Sequence, residues 1–209
     1  MGRNMKLQIS PSSPYVRKVR AAIRELRLED RIEEVISIPW DEDADVAMQN
    51  PAGKVPALIT DDGGSLFDSP VICEYLDSLS DQATLFPPIG PARWTALRRQ
   101  ALADALLDAM IARRVEGNRP GDADSEYWIN RHWAAVQRSL DEMEHTLPAP
   151  DKPICIGDIA TAVALAQLLF RFGDQDWRPG RAKLTSWFEE IMQRPSLAQT
   201  HPVDHERSR

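Results

Sequence analysis

Hydrophobic and polar positions in the first eighty residues switch between two periods. Lys6 to Ser10 reads as a strand, Pro14 to Leu28 carries Val16, Val19, Ile23 and Leu26 at helical spacing, and a second strand falls around Glu33 to Ile38. Asp43 to Gln49 allows at most a short helix. Ala57-Leu58-Ile59 and Leu66-Phe67 are short strands joined by a turn over Asp61 to Gly64, and Pro70 to Leu79 returns to the helical period. Residues 81–91, DQATLFPPIGP, cannot continue a helix through their prolines and glycine. Beyond them the pattern predicts helices over Ala92 to Val115, Glu126 to Leu147, Ile156 to Phe172 and Ala182 to Gln193, and no strand. Turns fall near 117–122 and 148–153, and the tail from Thr200 is expected to fray. The whole predicts an α+β protein of two domains: a mixed α/β domain over 1–80, a linker over 81–91 and an all-helical domain over 92–209.

Composition narrows the function classes. With 209 residues and 43% hydrophobic content, the chain can pack two small cores. Its net charge of −7 argues against sequence-independent nucleic-acid binding, which needs clustered Lys and Arg. No apolar run is long enough for a membrane span, and the N-terminal MGRNMKLQIS lacks the apolar core of a signal peptide, so a soluble cytoplasmic protein is expected. Lys6 stands where a myristoylation pattern wants Ser or Thr. Cys73 and Cys155 are too few for a disulfide framework, and the four histidines form no ligand pattern, so no metal is expected.

The candidate chemistry sits at helix starts. Ser69 before Pro70 reads as an N-cap, and free backbone N–H groups with a positive dipole end suit a carboxylate. Ser12 and Ser13 stand directly before Pro14, at the positive end of the first helix. Plain helix capping explains Ser69 better than ligand binding does at this point, and Ser12 and Ser13 equally well. Arg17 and Lys18 read as solvated charges on the first turns. Asp104 and Asp108 share a helical face at i, i+4, a repulsive pair that a helix gains nothing from. In ICIGDIATAVAL, Asp158 lies three residues after Cys155, with Ile154 and Ile159 at staple positions, which reads as folding machinery. Cys73 falls inside a helix, on its apolar face.

Four motifs, SPYVRK (13–18), NPAGKVP (50–56), FDSP (67–70) and the ALAD-x-x-x-DA run from Ala101, give the chain a resemblance that extends from Lys6 to about Pro202. It resembles the cytosolic glutathione S-transferase superfamily, and within it a bacterial YibF-like branch. The resemblance implies a thioredoxin-like N-terminal domain followed by an all-α domain, a cis Pro56, and glutathione as co-substrate. It implies that the backbone of Val55 pairs with the tripeptide, that Asp68 and Ser69 hold the amine and carboxylate of its γ-glutamyl end, and that Lys54, with Trp40 nearby, meets its glycine carboxylate. Ser13, or alternatively Ser12, would stabilise the sulfur, and Asp104 would reach across a homodimer to the glutathione amine. The electrophile would meet Tyr15, Met110, Arg113 and Arg114. Three activities follow: conjugation of glutathione to small electrophiles, glutathione binding without turnover in a regulatory role, and glutathione-dependent isomerisation or reduction. A serine at the sulfur position cannot exchange disulfides, which favours the first over reduction.

Overall fold

The computed structural model describes residues 5–39, 45–81, 83–121, 123–148 and 152–204. They form two compact units, one of residues 1–93 with 195–209 and one of residues 94–194.

The first unit is built on a four-stranded mixed sheet of order β2-β1-β3-β4, with β1 Met5–Ile9, β2 Ile32–Ile36, β3 Ala57–Ile59 and β4 Ser65–Leu66. β1 and β2 run parallel, so a crossover must join them, and α1 (Pro14–Glu25) supplies it. Val16, Val19, Ala22, Ile23 and Leu26 bury the face of α1 that the spacing predicts. The helix stops before Leu28 because Arg27 takes a positive φ of 57° and Leu28 N–H donates back to the Ile23 carbonyl at 3.0 Å. A 3-10 turn over Glu29–Arg31 then leads into β2. β3 runs antiparallel to both β1 and β4. The short α2 (Val46–Gln49) precedes β3, and α3 (Ser69–Ser78) follows β4 and packs on α1, burying Ile72, Cys73 and Leu76.

The second unit is helical, and its described residues contain no strand. α4 (Gly90–Gly117) enters it at Trp94, followed by α5 (Ala123–His145), α6 (Ile156–Arg171) and α7 (Ala182–Ile191). Twelve residues of α6 are buried, on all sides of the helix, which makes it the centre of the unit. The Asp158 carboxylate organises its start: Oδ2 accepts from Cys155 N–H at 2.8 Å, and Oδ1 accepts from the buried Arg99 guanidinium of α4. Gly157 allows the approach, since a Cβ there would lie 2.7 Å from the Ala96 carbonyl oxygen.

Three expectations are corrected. A last short helix, α8 (Pro195–Ala198), escaped the pattern, and it packs on α1 of the first unit rather than closing the helical one. Thr200, expected to begin a frayed tail, is 1% exposed, and its hydroxyl donates to the Ser196 carbonyl at 2.8 Å. Arg17 and Lys18 are not solvated: they are 2% and 1% exposed. A chain segment nearly two hundred residues away bonds the Arg17 guanidinium, Nη2 donating to the Leu197 carbonyl at 3.1 Å.

Candidate glutathione site

Strand registers decide which loops meet. Gln8 lies opposite Ala57 across the β1–β3 pair, and Leu58 lies opposite Leu66 across β3–β4. Continued outward, the same registers set Ile9 and Ser10 beside Pro56 and Val55, and Asp68 and Ser69 beside them on the other flank. The loop before α1, the turn before β3 and the start of α3 therefore converge at one end of the sheet. Binding residues gather at such an end because strand ends and helix starts leave backbone groups unpaired.

Ser13 is the N-cap of α1, with Pro14 at the first helical position. Its Oγ accepts from Val16 N–H at 3.3 Å, which uses a lone pair and leaves the hydroxyl proton without an acceptor among the described residues. Cap and proton donor are thus compatible roles for one hydroxyl. Ser12 is half-buried in the turn just before.

The Val55–Pro56 peptide bond is cis. Among the described residues, none bonds the backbone N–H or carbonyl of Val55, so this strand edge is open to pairing by an extended peptide. The turn leading to it is held by a residue that sequence reasoning missed. Asn50 is 3% exposed; its Nδ2 donates to the Lys54 carbonyl at 2.8 Å and its Oδ1 accepts from Ala52 N–H at 3.0 Å. Gly53, at a φ of 62°, completes the turn. The available signal was Asn50 itself, the first letter of the NPAGKVP motif. Lys54 is exposed at the mouth of the turn.

At the start of α3 the assignment moves by one residue. Asp68, not Ser69, is the N-cap, and Ser69 and Pro70 are the first two helical residues. The reason is that the Asp68 carbonyl already accepts from Ile72 N–H at 3.0 Å. The Asp68 side chain makes no cap bond and is exposed, so its carboxylate faces solvent. Ser69 is 1% exposed, with its hydroxyl at the helix start and no described residue bonding it. An outward carboxylate beside a helix N-terminus is complementary to a zwitterionic amino-acid head, whose ammonium and carboxylate need opposite partners. The Phe67–Asp68 peptide bond is also cis.

Other expected residues fall elsewhere. Asp104 is half-buried in α4 of the second unit, and Asp108 is exposed one turn on. Trp40 lies outside the described residues. Met110 is not a lining residue: at 2% exposure it belongs to the core of the second unit. Arg113 packs between two rings of its own unit, 4.7 Å from Trp133 and 4.8 Å from Phe172, rather than standing in solvent. Arg114 is exposed and Tyr15 half-buried. Among the described residues, no group of His, Cys, Asp and Glu could hold a metal ion, and no helix is long and apolar enough to cross a membrane. Burial, the charge of Asp158 and its bond push the Cys155 thiol up to about 11, which keeps it protonated and unreactive.

Residues 12–79 match the N-terminal domain of glutathione S-transferases and residues 126–190 match the C-terminal domain. The chain belongs to the glutathione S-transferase family. Within it, the chain falls in the branch of the GST-like protein YibF of Escherichia coli (strain K12), with which it shares 35% identity over 95% of this chain and 98% of that protein. Among solved structures it is similar to a glutathione S-transferase of Methylobacillus flagellatus KT with glutathione bound, at 35% identity and a TM-score of 0.88, covering 95% of this chain and 100% of that one. A glutathione transferase family member of Pseudomonas fluorescens Pf-5, also with bound glutathione, gives 36% identity and a TM-score of 0.89, covering 96% and 100%.

Proposed function

We propose that the protein is a glutathione transferase that adds the glutathione thiolate to small electrophiles. The observation that carries this reading is the convergence of three complementary features at one sheet end: the Ser13 hydroxyl with a proton to give, the open Val55 backbone beyond Pro56, and Asp68 with Ser69 at a helix start. Glutathione has a matching set of groups in the same order, namely a thiol, an extended cysteinyl backbone and a zwitterionic γ-glutamyl head. The relatives crystallised with glutathione support the same ligand. Lys54 provides a cation for the glycine carboxylate in this reading.

The chemistry follows from the helix start. Ser13 O–H donates to the bound sulfur and the α1 dipole favours negative charge there, so the thiol loses its proton to solvent more readily. A shift from about 8.5 to about 6.5 would raise the thiolate share at pH 7 from roughly 3% to roughly 75%, a stabilisation of about 2.7 kcal/mol. The sulfur lone pair then forms the C–S bond. The displaced electron pair leaves with a leaving group, or takes a proton from water when the electrophile is an activated double bond. A homodimer in which Asp104 reaches the partner's glutathione amine, and a detoxifying role in the cytoplasm, extend the proposal.

The test is a glutathione titration followed by turnover against an electrophile panel, with Ser13→Ala alongside. Glutathione-dependent conjugation that falls at least tenfold in Ser13→Ala supports the reading. Binding with no turnover across the panel moves the protein to the regulatory class, and oxidised glutathione appearing moves it to the reductive one.

A further inference from the structure

The first turn of α1 contains a buried charge that has no counter-ion among the described residues. Arg17 is 2% exposed, and Nη2 is the guanidinium nitrogen with an acceptor among the described residues; Nε and Nη1 are buried with none. Among the described residues, the charge that acts on it is another cation, Arg20. Burial first, and Arg20 second, lower its pKa to about 10, which still leaves a full positive charge at neutral pH. A buried ion without a counter-ion costs several kcal/mol, and an apolar residue of similar volume would avoid that cost.

Its position gives the charge a use. Ser13 and Arg17 are one helical turn apart on the same face, and Arg17 N–H donates to the Ser13 carbonyl at 3.0 Å. Long helical side chains lean toward the N-terminus and cover the preceding turn, the direction in which Ser13 lies from Arg17. The C-terminal segment closes over it: the Leu197 carbonyl takes Nη2, and Val203 N–H donates to the Pro11 carbonyl at 3.2 Å, in the same loop as Ser12 and Ser13. Water is thereby kept from the cation, and its field reaches further than that of an exposed one.

Among the described residues, the surrounding charges do not cancel it. Arg20 on α1 is paired with Glu34 of β2 at 2.8 Å. Glu25, two turns further along α1, accepts from the Ser196 hydroxyl of α8 at 2.5 Å. On α3, Glu74 is paired with Arg93, and Asp77 accepts from Leu85 N–H and the Thr84 hydroxyl. Lys18 adds a second buried cation with contacts of its own, and His201 and Asp204 stand on the C-terminal segment. Asp68 opposes the cations from solvent, where screening is stronger.

We propose that Arg17 is a positioning residue of the sulfur site, a buried cation one turn behind Ser13 that favours the ionised form of a thiol bound at that helix start. This rests on the reading of that site as a glutathione site.

The experiment measures the thiol pKa of bound glutathione by ultraviolet thiolate absorbance in wild type, Arg17→Met, Arg17→Gln and Arg17→Lys, beside the affinity of each for S-methylglutathione, which has no ionisable thiol. In the two neutral variants the pKa rises by about one unit, a tenfold fall in the ionisation constant, while S-methylglutathione binds within about twofold of wild type. Arg17→Lys, which keeps the charge, holds most of the shift. A neutral variant that binds S-methylglutathione normally with an unchanged thiol pKa overturns the proposal, as does equal loss of both ligands, which marks a structural role. Wild type that binds neither ligand overturns the glutathione reading itself.

Discussion

Ser13 carries two functions on one oxygen, and the two respond differently to substitution. Its lone pair caps α1 and its proton is available to a sulfur, so Ser13→Ala removes both, while Ser13→Gly removes the hydroxyl at only a few tenths of a kcal/mol of cap stability. Denaturant melts should therefore place Ser13→Ala about 1 kcal/mol below wild type and Ser13→Gly close to it, with the same loss of thiol activation in both. Activity that follows stability rather than the hydroxyl would assign Ser13 to capping alone. Asp68 is the opposite case, exposed and without a cap bond. Asp68→Asn should leave stability within about 0.5 kcal/mol and weaken glutathione binding by about ten- to a hundredfold, read by calorimetry. The motifs single out Ser13, Val55, Pro56, Asp68 and Ser69 as candidates, and the cis Val55–Pro56 bond was legible in them. They did not reveal that Arg17 is buried, because what covers it comes from Leu197, or that Asn50 is a brace, because its partners exist only once the turn has formed.

Elements were read well where one period persists for three turns or more. α1, α4, α5, α6 and α7 stand close to their expected spans, since a buried stripe leaves a repeated mark. α8 has four residues and leaves none. The end of α1 depended on Arg27 adopting a positive φ, which no local preference of arginine announces. The start of α6 was legible as a cap, and two outcomes test its physics. Gly157→Ala should destabilise the protein by about 1–3 kcal/mol in denaturant melts, because the added methyl meets the Ala96 backbone rather than a side chain that can turn away. Cys155 holds its proton more tightly folded than unfolded, so between pH 9 and about 11 the folded state binds more protons and stability falls as pH rises. Cys155→Ser should remove that part of the alkaline loss and, as a better cap acceptor, raise stability near pH 7 by a few tenths to about 1 kcal/mol. Equal alkaline slopes in wild type and variant would contradict the assignment.

At the scale of the molecule, the chain places its candidate chemistry at one end of a small sheet and then returns to it. The strand registers bring together three loops separated by up to fifty-six residues, from Ser13 to Ser69, and the last helix comes back to brace the first. The two-part architecture was legible because the period changes at the proline-rich segment 81–91; the return of residues 195–204 to the first unit was not, since only tertiary bonds record it. The central claim is that this sheet end binds glutathione and ionises it. The most direct measurement is the pH titration of thiolate absorbance for glutathione bound to the wild-type protein and to Ser13→Gly. The account predicts a pKa well below about 8.5 in wild type, raised toward that value in the variant. Bound glutathione titrating near about 8.5 in both proteins would contradict it.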